Sequence, residues 1–385
     1  MKRLFLVLLC AILGACAATP SPSPVPSQEF FHDELFAAPA QRVDAEDVFA
    51  RSDAMKHYVH VDIARQLRAQ GYVRGLINAL YQSDQLKLKY DPGATRNAAQ
   101  AFDARKGNCL SLVIMTAALA KELGLEVTYH NVAVEETWSR ADDLAFLSTH
   151  VNVTLGTRAT DGNPGYDASL ALTVDFLPAE DIPRRRTRSI SEDTIVAMYM
   201  NNRAAEALAQ WQIDEAYWWV RAAVVRAPDF LSPYNTLGVV YLRRGELPAA
   251  EQMFRYLLAR APRDKQALSN LAMLLDKEGH ADEASALRAR LARLEPYAPY
   301  HFFWLGTAAM QRGDFATAKS MFAKEVDRAD YCSEFHYWLG IANFRLGDLD
   351  EARKQLAIAM ENSTTPSDYE LYAAKLERLR SAGAH

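Results

Sequence analysis

From Ser191 to its C-terminus the chain keeps a beat of 34 residues. Pro228, Pro262 and Pro296 stand 34 apart, and Asp330 holds the next register. Gly245, Gly279, Gly313 and Gly347 keep the same interval, as do Ala216, Ala250, Ala284, Ala318 and Ala352. A third series of small residues runs through Ala204, Gly238, Ala272, Gly306 and Gly340. A period of this length is one helix pair that buries its apolar face only by stacking on copies of itself. Small side chains let the two helices approach, glycine opens the turn between them, and proline stops the second helix. The first register is degenerate, with Trp211 where the turn glycine belongs. Pro366 to Ala382 reads as the polar end cap a solenoid needs.

The period and its residue types resemble the tetratricopeptide (TPR) repeat, which implies an all-α solenoid that binds a protein or peptide partner along its first helices. Carried over position by position, the resemblance puts Asn235, Met273, Tyr300, Phe303, Tyr337 and Phe344 among the groove residues. An aromatic, greasy groove suits an apolar peptide segment. The same residues could instead pack against the first domain or the cap, and the sequence leaves both readings open.

A second feature lies upstream. Ala104 to Val127 reads as a polar turn, then an apolar helix with Cys109 in its first turn. Asn108 is a good N-cap, because its side chain can accept a bond from an early amide. Gly124 suits the position after the helix, where φ is positive. Between them almost no polar face remains, so the helix belongs inside a domain. A thiol at such a helix start feels the positive end of the dipole, which favours the thiolate. A lone Cys near an apolar helix is more often packing, so the case depends on the residues downstream of it.

Ser148 to Leu155 alternates as a strand, with Val151, Val153 and Leu155 on one face and His150, Asn152 and Thr154 on the other. A second strand, Leu170 to Leu177, carries Asp175. Cys, His and Asp so arranged offer a nucleophile, its base and the group that orients the base. Gly107-Asn108-Cys109, His150-Val151-Asn152-Val153 and Val174-Asp175-Phe176-Leu177-Pro178 resemble the transglutaminase-like core, a relative of papain-type cysteine peptidases. The resemblance covers roughly residues 50 to 182. It implies an α+β transglutaminase-like/papain-like domain with Cys109, His150 and Asp175 as catalytic residues. Asn152 stands where many members have an aromatic, and Asp167 is a rival for the third position.

The N-terminus is a charged start and a short apolar run, too short to span a bilayer, and reads as an export signal. Leu13-Gly14-Ala15-Cys16 resembles the lipobox of bacterial lipoproteins. That implies cleavage before Cys16, lipid on its sulfur and amine, and anchoring in the cell envelope, at the periplasmic face of the outer membrane. Alternating prolines from Pro20 to Pro26 read as a semi-stiff tether. Net charge is only −5, which makes nucleic acid a poor partner. His57 and His60 lack a third ligand at metal spacing, so neither metal nor cofactor is expected. A Cys109–Cys332 disulfide is not expected either, because the two lie in different domains.

The boundaries read as a signal peptide 1–15, lipidated Cys and tether 16–44, and the transglutaminase-like domain 45–182. A basic hinge 183–194, repeats 195–362 and a capping helix 363–385 complete the chain. Two functions stay open: a thiol enzyme acting on amide or peptide bonds by hydrolysis or acyl transfer, or an inactive descendant serving as a lipid-tethered adaptor.

Overall fold

The structure is a computed structural model that describes residues 28–39, 44–82, 85–91, 93–141, 144–158, 171–176, 187–294, 296–297, 300–330, 332–363 and 366–382. The first half opens with α1 (Asp53–His57), a π turn (Tyr58–Asp62), α2 (Ala64–Gln70) and α3 (Tyr72–Tyr81). Next come β1 (Lys89–Tyr90), α4 (Ala98–Ala104), β2 (Lys106–Gly107) and α5 (Cys109–Glu122). Strands β3 (Leu125–Ala141), β4 (Leu144–Arg158), β5 (Leu172–Val174) and β6 (Thr187–Ile190) form one antiparallel sheet in the order β5-β4-β3-β6. Every residue of α5 from Cys109 to Ala120 is buried. Asn108 caps the helix by accepting from the Ser111 amide at 2.9 Å, and Gly124 takes φ +72° beyond its end. Both roles arise from the orphan amides and carbonyls at helix ends.

Val151, Val153, Leu155 and Val174 pack on α5 in one core. The same core includes Ile195 to Met200, which belong to α6 (Glu192–Ala209), the first helix of the repeat region. The stretch read as a basic hinge is therefore not a hinge where it is described. Thr187 to Ile190 pair with Tyr129 to Val132 as the edge strand. The Tyr129 hydroxyl and Lys121 both reach Glu192 at the start of α6. Backbone amides that pair in a sheet cannot also serve as a free link.

The repeat region continues as α7 (Ile213–Arg226), α8 (Ser232–Arg244), α9 (Leu247–Arg260), α10 (Lys265–Lys277), α11 (Ala281–Leu294), α12 (His301–Gln311), α13 (Phe315–Arg328), α14 (Ser333–Leu346) and α15 (Leu349–Glu361). It closes with α16 (Pro366–Ala382). Gly238 shows why small residues recur: a Cβ there would lie 2.5 Å from the Phe254 ring of α9. Gly306 stands in the same relation to Phe322, at 2.6 Å. Trp211 takes the left-handed φ of +60° that glycines take at 245, 279, 313 and 347. The repeat geometry is thus kept in the first pair at the cost of strain in a bulky residue.

The tether expectation fails as well. The tether assigned to residues 16–44 does not extend that far, because residues 28–38 dock on the solenoid. Phe30 and Phe36 are buried in the same core as α7, α8 and α9. The aromatics of this stretch find a better environment on the repeats than in water. The signal peptide, Cys16 and the alternating prolines lie outside the described residues.

Gly238→Ala overpacks the α8–α9 contact and should cost about 1–3 kcal/mol in chemical denaturation. Trp211→Gly should stabilise by up to about 1 kcal/mol. It relieves a left-handed cost of roughly 1–2 kcal/mol, against loss of the exposed Arg243 cation–π contact at 4.1 Å, worth about 0.5–1 kcal/mol.

Candidate functional site

The thiol is positioned from its helix outward. Gly107 has no room for a side chain, since a Cβ there would meet the Ser111 Cβ at 2.7 Å. The turn therefore lies flat against the first turn of α5, and Cys109 emerges from it 6% exposed. Ser111 donates to Asn108 Oδ1 at 2.8 Å and accepts from the Arg96 amide at 2.8 Å. Asn108 Nδ2 donates to Thr95 Oγ1 at 3.0 Å. The Thr95 amide in turn donates to Glu206 of α6 at 2.6 Å, and Arg203 pairs with the same carboxylate at 2.9 Å. A loop laced by these bonds ties the tip of α5 to the first repeat helix.

His150 comes from β4 and Asp175 from the residue after β5, and they meet with Nε2 2.7 Å from Oδ1. The Cys109 thiol is near enough to the same ring to act on its titration. With Nε2 engaged by the carboxylate, the ring's orientation and tautomer are fixed by Asp175. The three residues that the sequence pairs at a distance are thus brought together. The expected strand from Leu170 to Leu177 is shorter, β5 ending at Val174, so Asp175 sits just past the last ladder pair. Asp167 lies outside the described residues.

Asn152 stands where the resemblance leads one to expect an aromatic, and it holds Asp175. Its Nδ2 donates to Asp175 Oδ2 at 3.1 Å, so the carboxylate is held by a ring nitrogen on one oxygen and an amide on the other. Asn152 Oδ1 is buried and has no partner among the described residues. Burial alone would depress the His150 imidazole; hydrogen bonds with Asp175 and Cys109, and their charges, outweigh it and raise the ring to about 9.

Two tyrosines were not picked out by sequence. Tyr81, at the end of α3, donates to the Asp175 carbonyl at 3.2 Å. Burial and then the Asp175 charge push its phenol up to about 12. Tyr90 pairs in register with Gly107, two residues before the thiol. Its phenol is raised by burial, then by the charges of Cys109 and Asp91. Neither sits at a spacing that marks it in the sequence. Only the parallel β1–β2 ladder and the packing of α3 bring them to the site.

The groove positions divide. Met273 and Phe344 are exposed. Asn235 accepts from Asn270 at 3.0 Å and donates to Gln266 at 3.5 Å, a polar tie between α8 and α10. Phe303 is not in a groove but in the core between repeats, against Phe322 and Phe335. Tyr300 packs edge-on to Phe335 at 5.0 Å, and Tyr337 stacks on Tyr372 of the cap at 4.9 Å. For these three, contact with the next aromatic outweighs exposure to a ligand. His60 pairs with Glu122 at the surface, and no His, Cys, Asp and Glu group of metal-binding size occurs among the described residues. Both described cysteines are free thiols, and burial pushes the Cys332 thiol up to about 11.

The tetratricopeptide repeat family profile matches residues 235–299 and 305–363. The C-terminal half carries TPR repeats. TTC0263, a TPR protein of Thermus thermophilus, is 20% identical over 47% of this chain and 98% of its own, with TM-score 0.27. PilF of Pseudomonas aeruginosa is 18% identical over 48% and 84%, with TM-score 0.28. YrrB, described as a TPR protein with an unusual peptide-binding site, is 19% identical over 47% and 92%, with TM-score 0.25. No curated protein matches the chain.

The raised imidazole sets a pH dependence. A group whose pKa is higher folded than unfolded stabilises fully below its unfolded value near 6.5 and loses that contribution as pH rises through about 9. The stability advantage of the wild type over Asp175→Asn should therefore be largest near pH 6. It should shrink by on the order of 2–3 kcal/mol by pH 10, read from denaturant midpoints.

Proposed function

We propose that the protein is a thiol-dependent amide hydrolase or acyl transferase of the transglutaminase-like kind, with Cys109 as nucleophile. The repeats hold its protein substrate. The single observation that supports this reading is the 2.7 Å His150–Asp175 pair, whose ring also feels Cys109 at the tip of α5. At neutral pH an imidazole raised to about 9 is a cation beside the sulfur, poised to donate a proton.

In the reaction the Cys109 thiol passes its proton to His150, and the thiolate sulfur attacks the carbonyl carbon of a carboxamide or peptide bond to form a C–S bond. As the C–N bond breaks, His150 gives its proton to the departing amine. Water, or a second amine, then attacks the thioester; His150 takes its proton, and the C–S bond breaks to free the acid or the new amide. Asp175 keeps the ring in place and stabilises its charged form, and Asn152 fixes Asp175.

The repeats add the substrate. Met273 and Phe344 remain exposed as contacts for an apolar peptide segment, and Asn235 is a polar one. Holding a protein there raises its concentration at the thiol. Lipid on Cys16 would confine the whole to the bacterial cell envelope.

Alkylation by iodoacetamide at pH 7 tests the site. Cys109 should react at least about ten-fold faster in the wild type than in His150→Ala, while Cys332 stays inert. Peptide hydrolysis or incorporation of a fluorescent amine should fall by on the order of a thousand-fold in Cys109→Ala. If Cys109 reacts like an ordinary free thiol and His150→Ala changes nothing, the protein is a TPR adaptor with an idle domain.

A further inference from the structure

Residues 28–38 lie on the repeats as a ligand lies on a receptor. The stretch makes only two three-residue 3-10 turns and joins no ladder or helix pair. Its anchors are spaced by three. Phe30 packs on Tyr256 of α9 at 4.7 Å. Phe36 stacks flat on Tyr217 of α7 at 3.8 Å. Between them Asp33 Oδ1 accepts from the Tyr217 hydroxyl at 2.5 Å and from Arg221 Nε at 2.7 Å. Backbone groups are read as well: the Tyr241 hydroxyl donates to the Phe30 carbonyl at 2.7 Å, and Trp218 Nε1 to the Ala37 carbonyl at 2.6 Å.

The part of the receiving surface that α7 supplies is peculiar to the first pair. At the positions of Tyr217 in the later repeats stand Glu251, Ser285, Lys319 and Arg353. At those of Trp218 stand Gln252, Ala286, Ser320 and Lys354. Polar or small residues there are what an outer solenoid face in water requires, so two adjacent aromatics in repeat one are made for a covering ligand. Desolvated aromatic anchors around one charged, hydrogen-bonded pair are the pattern of a specific peptide site.

We propose that α7, α8 and α9 form a second peptide-binding site, separate from the groove that holds Met273 and Phe344. It takes short segments of the pattern aromatic-x-x-Asp-x-x-aromatic. Residues 28–38 are its resident ligand, bound in cis and exchangeable for a free peptide of the same pattern. Covalent attachment gives the resident segment a high effective concentration, so a competitor enters only when the resident is weakened or in large excess.

The test uses the full chain and a fluorescent synthetic peptide of residues 28–38. In the chain carrying Phe30→Ala, Asp33→Ala and Phe36→Ala, the peptide should bind at least about ten-fold more tightly than to the unaltered chain. Adding Arg221→Ala, or using a peptide with Asp33→Asn, should weaken that binding about ten-fold or more, since a charge-assisted bond is lost. A scrambled peptide should not bind. Equal binding to both chains, or none to a substituted chain with unchanged circular dichroism, overturns the proposal. If the substituted chain fails to fold, hydrogen exchange of the unaltered chain decides. Excess free peptide should accelerate exchange at residues 28–36, and no acceleration makes the segment a fixed part of the fold. A dimer in sedimentation that the triple substitution converts to monomer would assign the occupant to a second copy and overturn the cis arrangement.

Discussion

Burial of α5 on every side is the constraint that shapes the rest of the first half. A helix of that composition needs cover all round. It gets it from the sheet on one side, from α1 and α4 on others, and from α6, whose Ile195 to Met200 complete the same core. The helix can then project one polar end, and its caps decide what that end presents. Asn108, Ser111 and the Arg96 amide satisfy the first turn, leaving Cys109 beside a histidine rather than beside water.

The sharing of α6 makes the two halves one mechanical piece at their junction. Glu206, inside the first repeat helix, holds the Thr95 amide that in turn positions Asn108 through the Thr95 hydroxyl. The tip of the cysteine helix is thus braced by a solenoid residue. A rigid brace of this kind suits the proposed site, which needs Cys109 and His150 held near one another. It also explains why the boundary between halves falls within a strand and a helix instead of a loop.

The solenoid has its own asymmetry. Its last pairs bury their aromatics against one another and against the cap, which takes Phe303 and Tyr337 out of the groove. Its first two pairs carry aromatics on the side where the N-terminal segment docks. The aromatic content of the repeats thus serves cohesion at one end and recognition at the other, and the same residue type takes either role according to its neighbours.

The sequence by itself determined what depends on local rules. The 34-residue beat, the glycine turns, the Asn108 cap and the alternation around His150 are each set by the chemistry of a few neighbouring residues. Those features reappear at the expected positions, including the end cap Pro366–Ala382. The convergence of Cys109, His150 and Asp175 could be anticipated only as far as residue types and a resemblance carry. Its supports could not: Asn152 looks like a missing aromatic until its amide is seen on Asp175, and Tyr90 has no marked spacing. The docking of Phe30 and Phe36, the strand Thr187–Ile190 within the expected hinge, and the division of the groove residues were decided by tertiary structure alone. Each depends on which distant surface offers an aromatic segment or an unpaired strand edge its partner, and no local pattern encodes that choice.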